Sequence, residues 1–175
     1  VYKRQLLVKL GRAGKKVVRL KGGDPYVFGR GGEEADALHE AGVPFEVIPG
    51  ITSAIAGPAY AGIPVTHRKY CTQFTVFTGH EDVNKKESSL DLKGIAGAQG
   101  TKIMLMGMQK LADVCEALTG YGQEPSTPAA AIQWATTGIQ RTVTGTVRTL
   151  PAKVQKAGLG APAVVVIGDV VKERD

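Results

Sequence analysis

The residues best suited to chemistry lie at positions 17–34, in the run VVRLKGGDPYVFGRGGEE. An apolar stretch leads into a loop where five glycines fall within residues 22–32, with Asp24 and Arg30 among them. A Gly22-Gly23 pair lets a ligand reach the main chain without meeting a side chain. Pro25 biases Asp24 toward extended backbone. A carboxylate at that point suits a ligand bearing a cation or hydroxyls, such as an amino acid moiety or a ribose. Neither GxGxxG nor GxxxxGK[ST] is present, so the usual dinucleotide and triphosphate loops are excluded. The plain alternative is a glycine-rich turn that serves only the path of the chain.

A second group is Pro49-Gly50-Ile51-Thr52-Ser53-Ala54. Here the chain turns sharply and a helix opens with two hydroxyl residues. Thr52 or Ser53 could serve simply as a helix cap. Thr66-His67-Arg68 forms a third group, either a polar hinge or a rim facing an anionic substrate. Arginine suits carboxylates because its planar fork bonds them bidentately, and Arg30 is a comparable candidate. His80 follows Gly79 at an expected strand end, whereas His39 falls on a charged helix and is expected to face solvent. The three histidines lack metal-ligand spacing, and no metal is expected. Met104, Met106 and Met108 would share one face if a strand ran through Met108. Trp134 is expected in the core. No serine sits in a GxSxG elbow, and neither Cys71 nor Cys115 carries a nucleophile signature.

The elements that must position these groups alternate. Strands are expected at 17–20, 45–48, 73–78, 103–106, 129–134, 142–147 and 163–167, from β-branched content and flanking turn residues. Helices are expected at 5–13, 33–41, 52–61, 109–118 and 152–157, with Gly42 stopping the second. A short helix is expected late in the polar stretch 79–100. Such alternation argues for an α/β fold. Gly62, Pro64 and the polar run to residue 69 place a boundary there, giving domains 1–69 and 70–175. Loops 22–27, 52–53, 106–107 and 135–137 lie at the carboxyl ends of expected strands and carry small or polar residues. If the strands run parallel, these loops meet at one crevice.

The chain has 175 residues, 43% hydrophobic and 22% charged, the profile of a globular domain. Nothing in it resembles a signal peptide or a long apolar span, so a cytoplasmic protein with no membrane partner is expected. Its two cysteines, without CxxC spacing, argue against a disulfide framework and a structural zinc site. A net charge of +6 would suit a nucleic acid or a small polyanion.

Five runs, VVRLKGGDPYVFGRGGEE, GVPFEVIPGITSAIAGPAYAGIPVTHR, FTVFTGHE, MLMGM and QRTVTGTV, together resemble the uroporphyrinogen-III C-methyltransferases, within the tetrapyrrole methylase family. The resemblance spans roughly residues 5–172. It implies the tetrapyrrole methylase fold: two α/β domains with a cofactor cleft between them, the first domain incomplete here. The implied activity is S-adenosylmethionine-dependent C-methylation of uroporphyrinogen III to precorrin-2, via precorrin-1, toward siroheme and cobalamin. Implied cofactor contacts are Gly22, Gly23, Asp24, Val27, Thr52, Ser53, Met106 and Ala135. Arg30 and Arg68 are candidates for the carboxylates of the tetrapyrrole. A homodimer is implied and a nucleic-acid partner is not. Ala135 stands where the family often has glycine, and Tyr26 where phenylalanine is usual. The family's opening strand, its GPGD-type loop and its assigned proton acceptor and donor have no counterpart in this sequence, so no catalytic residue is placed. Rival expectations are a methylase of a later corrin intermediate, an RNA ribose methyltransferase of the same fold class, and a non-catalytic cofactor-binding fragment. An isolated chain of this kind is expected to aggregate or to be marginally folded.

Overall fold

The computed structural model describes residues 2–79 and 90–174. His80 lies outside the described residues. The chain divides into two compact units, Val1–Thr52 and Ser53–Asp175. Residues 53–69, grouped with the first domain by sequence, are part of the second unit.

In the first unit, α1 (Tyr2–Arg12) packs against α2 (Gly31–Glu40). Glu33 and Glu34 occupy the first turn of α2, where negative charge suits the helix dipole. The helix stops where Gly42 takes the left-handed conformation, φ 66°. Gly42 N–H then donates to His39 O and Val43 N–H to Leu38 O, closing a Schellman motif. Residues 17–20 and 45–48 are not strands. Their β-branched composition was a sound local signal, but a strand exists only with a ladder partner. Among the described residues none pairs with either stretch. Val18, Leu20 and Ile48 are 85%, 83% and 75% exposed. Gly31 alone is buried among the described residues of this unit.

The second unit contains a five-stranded sheet in the order β1-β2-β5-β3-β4. Its strands are β1 (Phe74–Thr78), β2 (Thr101–Leu105), β3 (Pro128–Gln133), β4 (Arg141–Thr146) and β5 (Ala163–Ile167). β1 and β2 are parallel, and β5 runs antiparallel to both β2 and β3. β4 is antiparallel to β3. The three central strands are buried on both faces, so they read as nearly continuous apolar runs. Met104, Ala129, Ala131, Val165 and Ile167 point to one layer with α5 (Leu111–Gly120) and α6 (Leu150–Lys156). Ile103, Ala130, Ile132, Val164 and Val166 point to the other, with α3 (Ser53–Tyr60) and the 3-10 turn Asp169–Glu173. Val165 sits between Met104 and Ala131, a large-small alternation that lets neighbouring side chains fill one layer. Arg174 closes this face by donating to Ala61 O at 2.7 Å.

Lys102 is the buried cation of β2. Its Nζ donates to Ala98 O at 2.7 Å, beside the C-terminal end of α4 (Leu92–Gly97), where positive charge suits the helix dipole. Burial holds its pKa below the ordinary 10.5.

The ends of two strands differ from expectation in a common way. β2 stops at Leu105 and β3 at Gln133, because Met106 and Trp134 turn into the left-handed region at φ 53° and 48°. Met106 therefore leaves the sheet and is 54% exposed, while Met104 is buried. The strand does not reach Met108, which opens a 3-10 turn, so the three methionines do not share a face. Trp134 is 44% exposed rather than in the core. After β1, Gly79 N–H donates to Leu105 O at 2.8 Å. A Cβ at Gly79 would overlap Gly107 Cα, and one at Gly107 would overlap the Met104 side chain.

Three outcomes follow from this packing. Amides of β2, β3 and β5 should exchange at least ~100-fold more slowly than those of residues 17–20 and 45–48. Comparable protection in hydrogen exchange would show that the first unit has a core of its own. Gly79→Ala should cost about 1–3 kcal/mol in urea unfolding, because backbone must move to admit the methyl. A neutral result would mean that the two loops slide apart easily. Burial pushes the Cys115 thiol up to about 11. It should resist alkylation at pH 8 in the native protein and react on denaturation; early reaction would show that α5 opens readily.

Candidate cofactor site

The glycine loop of the first unit is closed at its stem by charge. Glu34 accepts from Arg19 Nε at 3.1 Å and from Lys21 Nζ at 3.2 Å. Lys21 Nζ also donates to Gly29 O across the loop. Both Lys21 and Glu34 have largely buried side chains, so these pairs are better shielded than surface pairs. Inside the stem, Gly31 N–H donates to Pro25 O at 2.9 Å. Phe28 and Arg30 take positive φ, 52° and 59°, to make that fold.

At the tip, Asp24 Oδ1 accepts from Tyr26 N–H at 2.8 Å and Oδ2 from Gly50 N–H at 3.1 Å. These donors hold the Asp24 carboxyl below its ordinary 3.8: the Gly50 N–H first, then Tyr26, with Val27 N–H adding to them. A Cβ at Gly50 would overlap Gly23 O. A Cβ at Gly23 would stand 3.4 Å from Ile51 O and 3.7 Å from Thr52 Cα. The expected residues Gly22, Gly23, Asp24 and Thr52 are thus brought together. Beyond Gly22 the space is open, with nothing within 4 Å of a Cβ there. Half-buried Val27 lies on the same loop.

In the second unit the strand directions decide what meets. β2 and β3 both oppose β5, so they run parallel to each other and end at one edge. Gly79, Met106-Gly107 and the loop from Trp134 all lie on that edge, beside Pro162, whose carbonyl accepts from Trp134 N–H at 3.1 Å. Left-handed Met106, Trp134 and Thr136 each cost about 1–3 kcal/mol, and such strain gathers where a loop must present its backbone in one orientation. Gln140 secures the Trp134 loop. Its Oε1 accepts from Thr136 N–H at 2.8 Å and its Nε2 donates to Tyr60 O at 3.1 Å, at the end of α3. Ala135 packs on the α3 layer, and a Cβ at Gly57 would lie 3.4 Å from the Ala135 methyl. The extra methyl relative to glycine is thereby accommodated against the helix. Ser53 is the first residue of α3.

The two arginines are exposed. Arg30 Nε donates to Glu33 Oε1 at 3.1 Å, and that pair helps lower the Glu33 pKa, after the larger effect of the backbone N–H of Glu33 itself. Arg68 lies on a compact turn where Tyr70 and Cys71 N–H both donate to His67 O at 2.9 Å. Among the described residues, no three His, Cys, Asp or Glu side chains converge as a metal site. No helix among them is long and apolar enough to cross a membrane.

Lys21, Glu34 and Gln140 were not anticipated from sequence. Glu34 carried a signal only as an acid in a first helical turn, and Gln140 carried none. In each unit the candidate residues lie on glycine-containing loops whose backbones come into close contact, a surface for main-chain recognition. Such a surface fits a nucleoside-type cofactor.

The profile described as Tetrapyrrole (Corrin/Porphyrin) Methylases matches residues 3–151. A uroporphyrinogen-III C-methyltransferase of Bacillus subtilis is 51% identical over 166 residues, covering 95% of this chain and 34% of its own length. An S-adenosyl-L-methionine-dependent uroporphyrinogen III methyltransferase of Methanosarcina barkeri is 50% identical over 171 residues, 98% of this chain and 67% of the relative. The chain therefore spans about a third of the first relative and two thirds of the second. A crystal structure of uroporphyrin-III C-methyl transferase from Thermus thermophilus, complexed with S-adenyl homocysteine, aligns with a TM-score of 0.80 at 35% identity, over 97% of this chain and 73% of that one. A profile that covers most of the sequence, and a relative half identical across nearly all of it, place this chain in the tetrapyrrole methylase family.

Proposed function

We propose that this chain carries S-adenosylmethionine-dependent C-methylation of uroporphyrinogen III, giving precorrin-2 by way of precorrin-1. What supports this most is a coincidence of position. Gly22, Gly23, Asp24 and Thr52 are drawn together in the first unit, and Met106 and Ala135 share one sheet edge in the second. These are the positions at which the family resemblance puts cofactor contacts. The relatives' names and the S-adenyl homocysteine complex of the Thermus thermophilus protein point to the same ligand.

When bound, the sulfonium supplies a methyl group that is already activated. The chain's own residues then bind and orient. Gly22 and Gly23 admit the ligand to the backbone, Val27 and Thr52 add contacts from the first unit, and Ser53, Met106 and Ala135 add contacts from the second. Alignment of this kind is worth up to about 7–11 kcal/mol of barrier. Arg30 and Arg68, both exposed, supply charge for the carboxylates of the tetrapyrrole, and the net charge of +6 steers an anionic substrate inward. Family domains at 1–69 and 70–175, a homodimer and a cytoplasmic setting belong to the same proposal.

Calorimetry with S-adenosylhomocysteine should give one site per chain, and absence of binding would sink the cofactor reading. Arg30→Ala and Arg68→Ala should each weaken tetrapyrrole binding roughly tenfold, about 1.4 kcal/mol, read as substrate KM or as Kd by porphyrin fluorescence. Affinity for S-adenosylhomocysteine should stay the same. Equal loss of both ligands would remove the arginines from the substrate site.

A further inference from the structure

We infer that the Asp24 carboxylate is a positioning group: it pins the Gly22-Gly23-Asp24 loop to the Pro49-Gly50 turn, and so is not itself spent on the ligand. The inference rests on the cofactor reading above for its consequence, and on geometry for its content. Both carboxylate oxygens are engaged, Oδ1 by Tyr26 N–H at 2.8 Å and Oδ2 by Gly50 N–H at 3.1 Å. Its partners are main-chain N–H groups, with no ion pair to a side chain among the described residues. Charge-assisted bonds of this type are roughly twice as strong as neutral ones.

The pin joins segments 26 residues apart in sequence. It also explains the glycine at position 50. Gly50 lies so close to Gly23 O that a Cβ would overlap it. The carboxylate can reach Gly50 N–H only because the two backbones touch. Pro49 and Pro25 stiffen the chain on either side of the contact, since each fixes its own φ. Residues 22–24 and 50–52 therefore present themselves as one wall of backbone. Asp24 is the clasp of that wall, and nothing stands within 4 Å of a Cβ at Gly22. The lowered pKa of Asp24 agrees with an ionised carboxylate that accepts from main-chain N–H groups. Its sign is fixed: a carboxyl depressed in the folded state stabilises above the ordinary 3.8, and that contribution is lost as pH falls below it.

The test has two arms. In the unliganded protein, amide resonances of Gly50 and Tyr26 should move together as pH falls through one titration below 3.8. Asp24→Asn should displace both at neutral pH. In the second arm, Kd is measured for S-adenosylhomocysteine and for 5′-methylthioadenosine, which lacks the amino acid moiety. Asp24→Ala and Gly50→Ala should each weaken both ligands by a similar factor, roughly tenfold. The double variant should be no worse than either single one, because both changes break the same contact. Asp24→Asn, which keeps one acceptor, should fall between, and it carries the test if Asp24→Ala does not fold. A loss confined to S-adenosylhomocysteine, or losses that multiply in the double variant, would show the carboxylate touching the ligand and overturn the inference. A Gly50 amide indifferent to Asp24 would also overturn it. If the parent protein binds neither ligand while Gly50 still follows Asp24, the cofactor reading fails and the clasp stands.

Discussion

The second unit depends on β5. This strand runs opposite to β2 and β3 and separates them, and Val164, Val165, Val166 and Ile167 are buried on its two faces. Its position has a geometric consequence. Because β2 and β3 are both antiparallel to one strand, they are parallel to each other, and their carboxyl ends emerge together. Ligands of open α/β sheets gather at such ends. Without β5 between them, Met106 and Ala135 would have no reason to share an edge. The same strand buries apolar surface worth about 1.5–3 kcal/mol per side chain, so topology and stability come from the same residues.

The first unit solves a different problem by different means. Gly31 is its sole buried residue among those described, and its apolar residues at 18, 20, 48 and 51 are largely exposed. What shapes its loops is polar: Glu34 gathers Arg19 and Lys21, and Asp24 gathers Tyr26 and Gly50. Such contacts are directional, so they specify a loop's path more sharply than they stabilise it. A carboxylate with both oxygens engaged serves this purpose, since two separate donors fix its place between them. The loop is thereby held in one geometry although little hydrophobic surface is removed from water.

Much of the architecture was legible residue by residue. The run AVVVI at 163–167 reads as a buried strand and is one, with the same bounds. Gly42 reads as a helix stop and adopts the required positive φ. The ladder-forming runs at 73–78 and 142–147 were found to within a residue. The failures share a cause. At residues 17–20 and 45–48 the β-branched pattern records a preference, but pairing is a property of a neighbour. At Trp134 the residue type argues for the core and at Met106 the pattern argues for a strand, whereas the left-handed turn that carries both outward is imposed by how the strands end. Ala135 carries a methyl where the family often has glycine, and the structure directs that methyl onto the α3 layer.

Local chemistry in the chain determined its α/β class, its helix ends and the family to which its motifs belong, because turns, caps and periodicity are written in neighbouring residues. Only the tertiary structure decided which loops share an edge, that Asp24 is occupied by Gly50, and that Glu34 joins Arg19 to Lys21. Those facts rest on strand direction and on contacts between residues far apart in sequence, and neither is a property of any single segment.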